Sequence, residues 1–280
     1  MRIDAHQHFW RYDPVQYGWI DDTMTPLRRD FLPPDARREM QAAGFDGCVA
    51  VQARQTLDET RWLLSLADAH PFIVGVVGWV DLQSPDVEHH LSALAAHPKL
   101  VGVRHSLQSE PDGFLSLRAF HRGLALLERL GLAYDILIYP RQLPEVIRLV
   151  AEFPRQRFVL DHLAKPEIRS GAIDAWTRRL TELASFPNVC AKLSGLVTEA
   201  DWQEWTADRL RPYLDVAFDR FGASRLMIGS DWPVCTLAAS YERTMGLVSD
   251  FLADKPAAQR AAVLGETALS FWNITVERPS

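Results

Sequence analysis

The chain has 280 residues, 48% of them hydrophobic, which is enough to bury one large core. Its 30 Lys and Arg residues are outnumbered by 36 Asp and Glu residues, so the net charge is −6, and no block of like charge runs along the sequence. Because a nucleic-acid partner requires a basic surface, we expect none.

Cysteine usage and hydropathy give an expectation about location. Cys48, Cys190 and Cys235 are far apart and form no CxxC pair, a usage typical of a reducing compartment. The amino-terminal MRIDAHQHFW has polar residues where a secretory signal needs an uninterrupted apolar segment, and no later apolar run is long enough to span a bilayer. We therefore expect a soluble, cytoplasmic protein with no membrane partner.

Short apolar segments rich in Val, Ile and Leu alternate with amphipathic stretches along the whole chain. This pattern is typical of parallel strands joined by crossover helices. The predicted strands are 2–5, 47–51, 72–79, 100–104, 133–138, 158–161, 189–193 and 226–229. The predicted helices are 34–43, 57–69, 86–96, 117–130, 144–153, 173–185, 205–221 and 241–253.

Eight strand and helix units predict an α/β protein, a single, distorted (β/α)8 TIM barrel over residues 1–280. An open doubly wound sheet is the alternative, but such sheets usually carry a glycine-rich phosphate turn after the first strand. Here the first strand runs into His6-Gln7-His8 instead. Segment 9–33 is longer than a typical βα turn and rich in aromatic residues, so we expect it to cover the carboxyl-terminal mouth of the barrel.

The first strand ends in two histidines separated by one residue. On an extended strand, this spacing puts the side chains of His6 and His8 on the same side. Two imidazoles on one rigid face predict a divalent metal site, with zinc as the most plausible ion. The alternative is that one histidine makes a structural hydrogen bond and the other is solvated.

Two later strands also end in charged residues. Asp231 ends the eighth apolar run, where its carboxylate would bind the metal or move a proton between water and a leaving group; a helix cap or turn is its alternative role. Arg104 ends the fourth strand. Its guanidinium is suited to holding a carboxylate or polarising a carbonyl, and a structural salt bridge is the alternative.

The sixth strand ends in Asp161 and His162. Because adjacent residues of a strand point to opposite faces, we expect only one of them to face the site. We choose His162, because a neutral imidazole can bind a metal, orient water or donate to a substrate oxygen. Asp161 is then expected to satisfy backbone groups of the following loop.

Four further residues are candidates for substrate binding. Lys192 lies on the seventh strand next to Ser194, and Trp10, Trp79 and Trp232 lie at or near strand ends, where they would offer flat faces to a sugar ring unless they belong to the core. The histidines within or beside predicted helices are expected at the surface, namely His70, His89, His90, His97 and His121.

The segments MRIDAHQHFW, VLDHLAKP, GSDWPV and LGETALSFW, in this order and spacing, resemble the amidohydrolase superfamily. The likeness runs from the first strand to the last helix and is to the sugar-lactonase branch, which includes L-fuconolactonases and L-rhamnono-lactonases. The resemblance implies a barrel hydrolase that opens a lactone, with His6, His8, His162 and Asp231 matching the family's site residues.

Two departures from the wider superfamily argue against a two-metal centre. Arg104 stands where two-metal members have a bridging lysine or glutamate, and Asp135 stands where many members have a histidine. One metal, or none required for turnover, is compatible with the sequence. We therefore expect water to attack the lactone carbonyl, with Asp231 carrying the proton and His162 and Arg104 assisting. Neither a GxSxG elbow nor a cysteine nucleophile motif is present.

Two other functions are compatible with the barrel. A pyrone or muconolactone hydrolase or decarboxylase of aromatic catabolism would require several basic residues at the mouth, whereas only Arg104 and Lys192 are suitably placed in the sequence, which favours a neutral sugar lactone. A catalytically inactive barrel that binds sugar acids is the alternative of another class. A small-molecule partner is expected in each case, and a homo-oligomer is compatible with the sequence.

Overall fold

Eight parallel strands follow one another around a barrel in the order of the chain in the computed structural model, which describes residues 1–275. The strands are Ile3–Gln7 (β1), Gly47–Val51 (β2), Ile73–Gly78 (β3), Leu100–His105 (β4), Ala133–Ile136 (β5), Phe158–Leu160 (β6), Val189–Leu193 (β7) and Leu226–Ile228 (β8). A parallel bridge between Gln7 and Trp232 joins the last strand region to the first. The barrel prediction is therefore confirmed, and its distortion is visible as register shifts in the β1–β2, β2–β3 and β3–β4 pairs.

Every predicted helix is present, with ends within two residues of those predicted. The α-helices are Pro33–Ala42 (α1), Leu57–Ala69 (α2), Val87–Ala95 (α3), Arg118–Leu130 (α4), Leu143–Glu152 (α5), Asp174–Ala184 (α6), Leu196–Glu199 (α7), Ala207–Phe221 (α8), Tyr241–Phe251 (α9), Ala257–Ala261 (α10) and Thr267–Phe271 (α11). The sequence analysis did not predict α7, α10 and α11, which are too short to show a helical period. Residues 276–280 lie outside the described part, and the single domain over residues 1–280 stays a prediction.

Helix boundaries follow from local chemistry. Pro33 opens α1, where its missing N–H costs nothing because the first turn has no intrahelical acceptor for it. Thr56 caps α2 by accepting a hydrogen bond from the backbone N–H of Glu59, and Ser240 caps α9 by accepting one from Arg243. Among residues 1–275, none of the helices combines the length and the apolar composition that crossing a bilayer would require.

The strands separate two apolar layers. The larger layer lies between the strands and the surrounding helices. The smaller one fills the barrel and includes Ala268 and Trp272 from the carboxyl-terminal segment. Three residues of this inner layer are each followed, two positions later, by a charged residue. These are Asp135 after Ala133, Asp161 after Val159 and Lys192 after Cys190. Because side chains alternate along a strand, these charges also point into the barrel, directly above the apolar layer.

The long first loop is fastened at its two ends. Trp10 and Phe31 exchange two backbone hydrogen bonds of 3.0 and 2.9 Å, and the indole N–H of Trp10 donates to the carbonyl of Arg29. Between these ends, Trp19 and Met24 reach the wall of a cavity at the barrel mouth. The prediction that this loop covers the mouth is confirmed.

Candidate metal centre and active site

His6 and His8 lie side by side at the end of β1. Their Nε2 atoms are 3.2 Å apart, and both residues are buried. The Nδ1 atom of His8 is 2.8 Å from the carbonyl oxygen of Val51. Since a carbonyl oxygen only accepts hydrogen bonds, His8 carries its proton on Nδ1, and its Nε2 lone pair is available to a metal.

Asp231 brings a carboxylate to the same point from β8. Its backbone N–H donates to the carbonyl of His6 at 2.8 Å, and its backbone is left-handed, with φ of 57°. Its Oδ1 atom is 3.2 Å from Nε2 of His8 and 3.6 Å from Nε2 of His6. Burial acts to raise the pKa of Asp231, but the three imidazoles around it, His162 foremost, outweigh this effect, so the net shift is downward and favours the carboxylate.

His162 approaches Asp231 from the end of β6. The chain leaves the strand after Leu160 and continues through four left-handed residues, 162–165. This turn places Nε2 of His162 3.8 Å from Oδ1 of Asp231 and its Nδ1 2.9 Å from Oγ of Ser194. Burial lowers the pKa of His162 to about 4, against the opposing charge of Asp231. The imidazole is therefore neutral near pH 7.

The expectation that Asp161 serves the loop backbone is wrong. Its carboxylate points into the barrel, where Oδ2 accepts a 3.0 Å hydrogen bond from Arg104 and Oδ1 lies 2.9 Å from Lys192 Nζ and 3.4 Å from His6 Nδ1. The expectation that only one of Asp161 and His162 faces the site fails as well. Strand alternation stops at Leu160, so the left-handed turn brings His162 to the same side.

Arg104 is held in place beside the histidines. One of its Nη atoms donates to Asp161 and lies 3.3 Å from Nε2 of His6, and the other donates to both the backbone and side-chain oxygens of Gln52. The guanidinium also forms part of the cavity wall. Arg104 therefore makes the structural salt bridge that was its alternative role and still faces the place where a substrate would lie.

Lys192 lies beneath the site. It is fully buried, donates to Oδ2 of Asp135 at 2.5 Å, and has its Nζ 3.1 Å from Nδ1 of His6. Burial raises the pKa of Asp135 to about 7, although the charge of Lys192 opposes it. Burial acts the same way on Asp161, but there Lys192 and His6 prevail and hold the pKa well below its usual value.

A cavity of about 670 Å³ opens above this centre. Four of the predicted residues reach its wall: His8, Arg104, His162 and Asp231. Lys192 and His6 lie below the wall, and Trp10, Trp79 and Trp232 are not part of it. Trp10 and Trp232 are buried because each packs edge-on against Phe31, while the indole N–H of Trp79 donates to His105.

Other wall residues were not predicted as site residues. The aromatic ones are Trp19, Tyr139 and Trp202, and the polar ones include Gln52, Arg54, Lys165 and Glu199. Lys165 belongs to the VLDHLAKP segment, so its position three residues after His162 was a usable signal. Glu199 ends the short helix α7 and Trp202 follows it; this connection after β7 has no periodic pattern, and nothing in the sequence marks either residue.

The donor set fits a zinc ion. One ligand atom from each of His6, His8 and Asp231 lies within 4.8 Å of the others, and all three residues are buried. Two imidazoles and a carboxylate, with a cavity on the open side, are the kind of three-residue set that catalytic zinc sites use. His6, Asp161 and His162 form a second group of the same compactness, but Asp161 is already engaged by Arg104 and Lys192.

Two known proteins with similar sequences are L-fucono-1,5-lactonases. An L-fucono-1,5-lactonase of Burkholderia multivorans is 44% identical over 280 residues, which covers 96% of this chain and 94% of the relative. An L-fucono-1,5-lactonase of Burkholderia ambifaria is 41% identical over 241 residues, which covers 86% and 83%. The crystal structure of an amidohydrolase from Burkholderia multivorans with bound zinc is 42% identical, covers 98% of this chain and 100% of its own, and superposes with a TM-score of 0.94.

A family model described as amidohydrolase matches residues 3–274, which is almost the whole chain. This match agrees with the order of the His-x-His, Asp161-His162 and Asp231 segments along the barrel. The resemblance drawn from the sequence is thereby confirmed, and the chain belongs to the amidohydrolase family.

Proposed function

We propose that the protein hydrolyses a sugar lactone, L-fucono-1,5-lactone or a close relative such as an L-galactonolactone, to the open-chain sugar acid. The observation that carries this proposal is the convergence of one carboxylate oxygen of Asp231 on three imidazoles at the floor of the cavity. Identity of 44% to an L-fucono-1,5-lactonase supports the choice of substrate.

The charges of the cavity wall support a neutral substrate. Its cationic side chains are Arg54, Arg104 and Lys165. Each has a carboxylate within 4 Å: Glu59 at 3.7 Å, Asp161 at 3.0 Å and Glu199 at 3.8 Å, respectively. Within residues 1–275, no cation of this wall is left without a carboxylate neighbour. A dicarboxylic acid of the aromatic-catabolism type would therefore have to displace an existing ion pair.

The hydrolytic step uses residues that already face the cavity. Water attacks the lactone carbonyl carbon, and Asp231 accepts the proton that the water loses. Arg104 donates a hydrogen bond to the carbonyl oxygen as it becomes an oxyanion. The bond from the carbonyl carbon to the ring oxygen then breaks, and that oxygen takes the proton from Asp231. His162, which is neutral, orients the water through the Nε2 atom that faces Asp231.

His6, His8 and Asp231 would hold a zinc ion in this site. Bound zinc would polarise the lactone carbonyl and lower the pKa of a coordinated water. Two features of the protein favour binding of the ion: His8 has its proton on Nδ1, and Asp231 is stabilised as the carboxylate. Elemental analysis of the purified protein, with activity measured before and after chelation, tests whether turnover requires the ion.

A panel of lactones tests the substrate. We expect acid release from L-fucono- or L-galactono-lactones and none from pyrone or muconate acids, and turnover of the acids alone would overturn the proposal. Asp231→Asn keeps the size of the side chain but removes the base, so kcat should fall by roughly 10²- to 10⁴-fold. Undiminished hydrolysis by a correctly folded Asp231→Asn variant would show that Asp231 carries no proton.

A further inference from the structure

Lys165 and Glu199 form a charged pair inside the cavity, to which the catalytic scheme assigns no role. Nζ of Lys165 is 3.8 Å from Oε1 of Glu199, and the side chains are only 19% and 23% exposed. Both belong to the same cavity wall as Asp231 and His162. Burial raises the pKa of Glu199. The charge of Lys165 opposes this shift and the charge of Asp231 adds to it, which reflects how near the pair lies to the reacting groups.

The backbone directs the side chains of Lys165 and Glu199 to this part of the cavity wall. Lys165 is the last of the four left-handed residues that begin at His162, and its N–H donates to the carbonyl of His162 at 2.8 Å. Glu199 ends α7, which starts after Gly195, and a Cβ at Gly195 would lie 2.5 Å from Nδ1 of His162. Two short backbone segments that both contact His162 therefore position the two side chains of the pair.

Lys165 and Glu199 have hydrogen-bond donors and acceptors that the described chain does not use. A separation of 3.8 Å is longer than a hydrogen bond, and neither side chain makes another side-chain hydrogen bond within the described chain. An ammonium group offers three donors and a carboxylate only acceptors. Two neighbouring hydroxyl groups match this arrangement, because one accepts from Lys165 while the other donates to Glu199.

We propose that Lys165 and Glu199 recognise adjacent ring hydroxyls of the substrate and thereby select polyhydroxylated lactones over plain ones. The pair has no net charge, so it adds affinity for a hydroxylated neutral ring without attracting an acid. Tyr139, whose ring lies 5.4 Å from Nζ of Lys165, and Trp202 complete this wall with the flat surfaces that sugar rings contact. This inference rests on the proposed function, because it concerns the same cavity.

The test compares two lactones on the full-length protein. L-Fucono-1,5-lactone carries ring hydroxyls and a methyl group, whereas δ-hexalactone keeps the ring and the methyl group but has no hydroxyls. The ratio of kcat/KM for the first to kcat/KM for the second should fall by roughly 10- to 100-fold in Glu199→Gln and in Lys165→Met, since a charged hydrogen bond to the substrate is lost in each. Glu182→Gln, which removes a carboxylate from an exposed ion pair on α6, should leave the ratio unchanged.

A second measurement does not depend on turnover of δ-hexalactone. 1,5-Anhydro-L-fucitol has the same ring hydroxyls and methyl group but no carbonyl, so it should inhibit the unmodified protein with a Ki about tenfold lower than that for either variant. If each variant loses kcat/KM equally on both lactones and its Ki for 1,5-anhydro-L-fucitol is unchanged, the pair positions His162 and the inference is overturned. No change in the ratio or in Ki would overturn it as well.

The outcomes also separate the inference from the proposed function. If the unmodified protein hydrolyses none of the sugar lactones, the proposed function fails. If it hydrolyses them and the variants keep the unmodified ratio and Ki, only the hydroxyl-recognition role fails. Circular dichroism verifies the fold of each variant, and because either partner reports on the same pair, misfolding of one variant leaves the other as a test.

Discussion

At the scale of a single residue, Gly195 carries two separate constraints. Its φ of 65° lies in the left-handed region, and a Cβ there would lie 2.5 Å from Nδ1 of His162. Gly195→Ala should therefore push the imidazole away from Asp231 and lower kcat/KM by about tenfold or more. Gly131→Ala is the matched control, because Gly131 is also left-handed, with φ of 70° and ψ of 21°, and has open space around its Cβ position. If steady-state kinetics show equal losses of kcat/KM in the two variants, Gly195 does not act through His162.

Both glycine variants should lose a similar amount of stability from the backbone alone. A left-handed alanine costs roughly 1–2 kcal/mol. The free energy of unfolding, measured by urea titration, should fall by about this amount in Gly131→Ala and by more in Gly195→Ala, where the clash adds to it. The comparison separates the conformational cost from the contact with His162.

Lys192 is the residue on which the buried charges depend. Its ammonium group lies 2.5 Å from Asp135 and 2.9 Å from Asp161, and all three side chains are fully buried. Lys192→Met should lower the free energy of unfolding by about 3–5 kcal/mol, because it leaves Asp135 without its cation and removes one of the two cations beside Asp161. Adding Asp135→Asn to the variant should restore part of the loss.

The control for Lys192 is an ion pair in solvent. Arg179 and Glu182 are 3.0 Å apart on α6 and about half exposed. Arg179→Met should cost less than about 1 kcal/mol, because water screens the pair. Denaturation curves in which the buried and the exposed substitutions cost the same would show that Lys192 does not stabilise the fold in this way.

At the scale of elements, the strands and the longer helices were predictable because the hydrophobic residues of each recur with the period of its secondary structure. The metal-ligand candidates were predictable for the same reason, since His6, His8 and Asp231 follow directly from strands whose ends are clear in the sequence. The inward direction of Asp161 was available too, because Val159 two positions earlier points into the barrel.

Loop residues were harder to predict. His162 reaches the site through a left-handed turn that no propensity of Leu163, Ala164 or Lys165 indicates. Trp10 and Trp232 were predicted to contact substrate because they are near strand ends, but the packing of the first loop buries them against Phe31. Most of the wall residues that were not predicted belong to loops, whose positions depend on tertiary contacts and not on a hydrophobic period in the sequence.

The loop after β2 depends on one buried carboxylate. Glu59 on α2 accepts the backbone N–H groups of Ala53 and Arg54 at 3.1 and 2.6 Å and is 3.4 Å from the hydroxyl of Tyr17 in the first loop. Burial raises its pKa from 4.5 to about 7, although the backbone hydrogen bonds oppose the shift. Both loops contribute to the cavity wall, so the protonation state of Glu59 bears on how firmly the mouth is held.

The sign of the pH effect follows from this raised pKa. The folded chain holds the proton of Glu59 more tightly than the unfolded chain, so its contribution to stability is complete below about pH 4.5 and is lost as the pH rises through about 7. Glu59→Gln does not titrate. Relative to the variant, the unmodified protein should therefore lose roughly 3 kcal/mol of unfolding free energy across this range. Parallel pH profiles for the two proteins would contradict the assignment.

At the scale of the whole molecule, a metal held by β1 and β8 would link the first and last strands of the barrel. His6 and His8 come from one end of the chain and Asp231 from the other, and the two strands are joined by only a few backbone contacts, among them the bridge from Gln7 to Trp232. An ion that binds only the folded barrel stabilises it in proportion to the logarithm of its free concentration.

Removal of metal should therefore lower the thermal midpoint of unfolding of the whole barrel, and added zinc should restore it. At a free zinc concentration about 1,000 times the Kd, the expected stabilisation is roughly 4 kcal/mol. His8→Ala should abolish the zinc-dependent shift, since it removes the imidazole whose Nε2 is set free by the hydrogen bond to Val51. His97→Ala should keep it, because His97 pairs with Asp68 outside the cavity. A zinc-dependent shift of equal size in both variants would place the stabilising ion elsewhere on the protein.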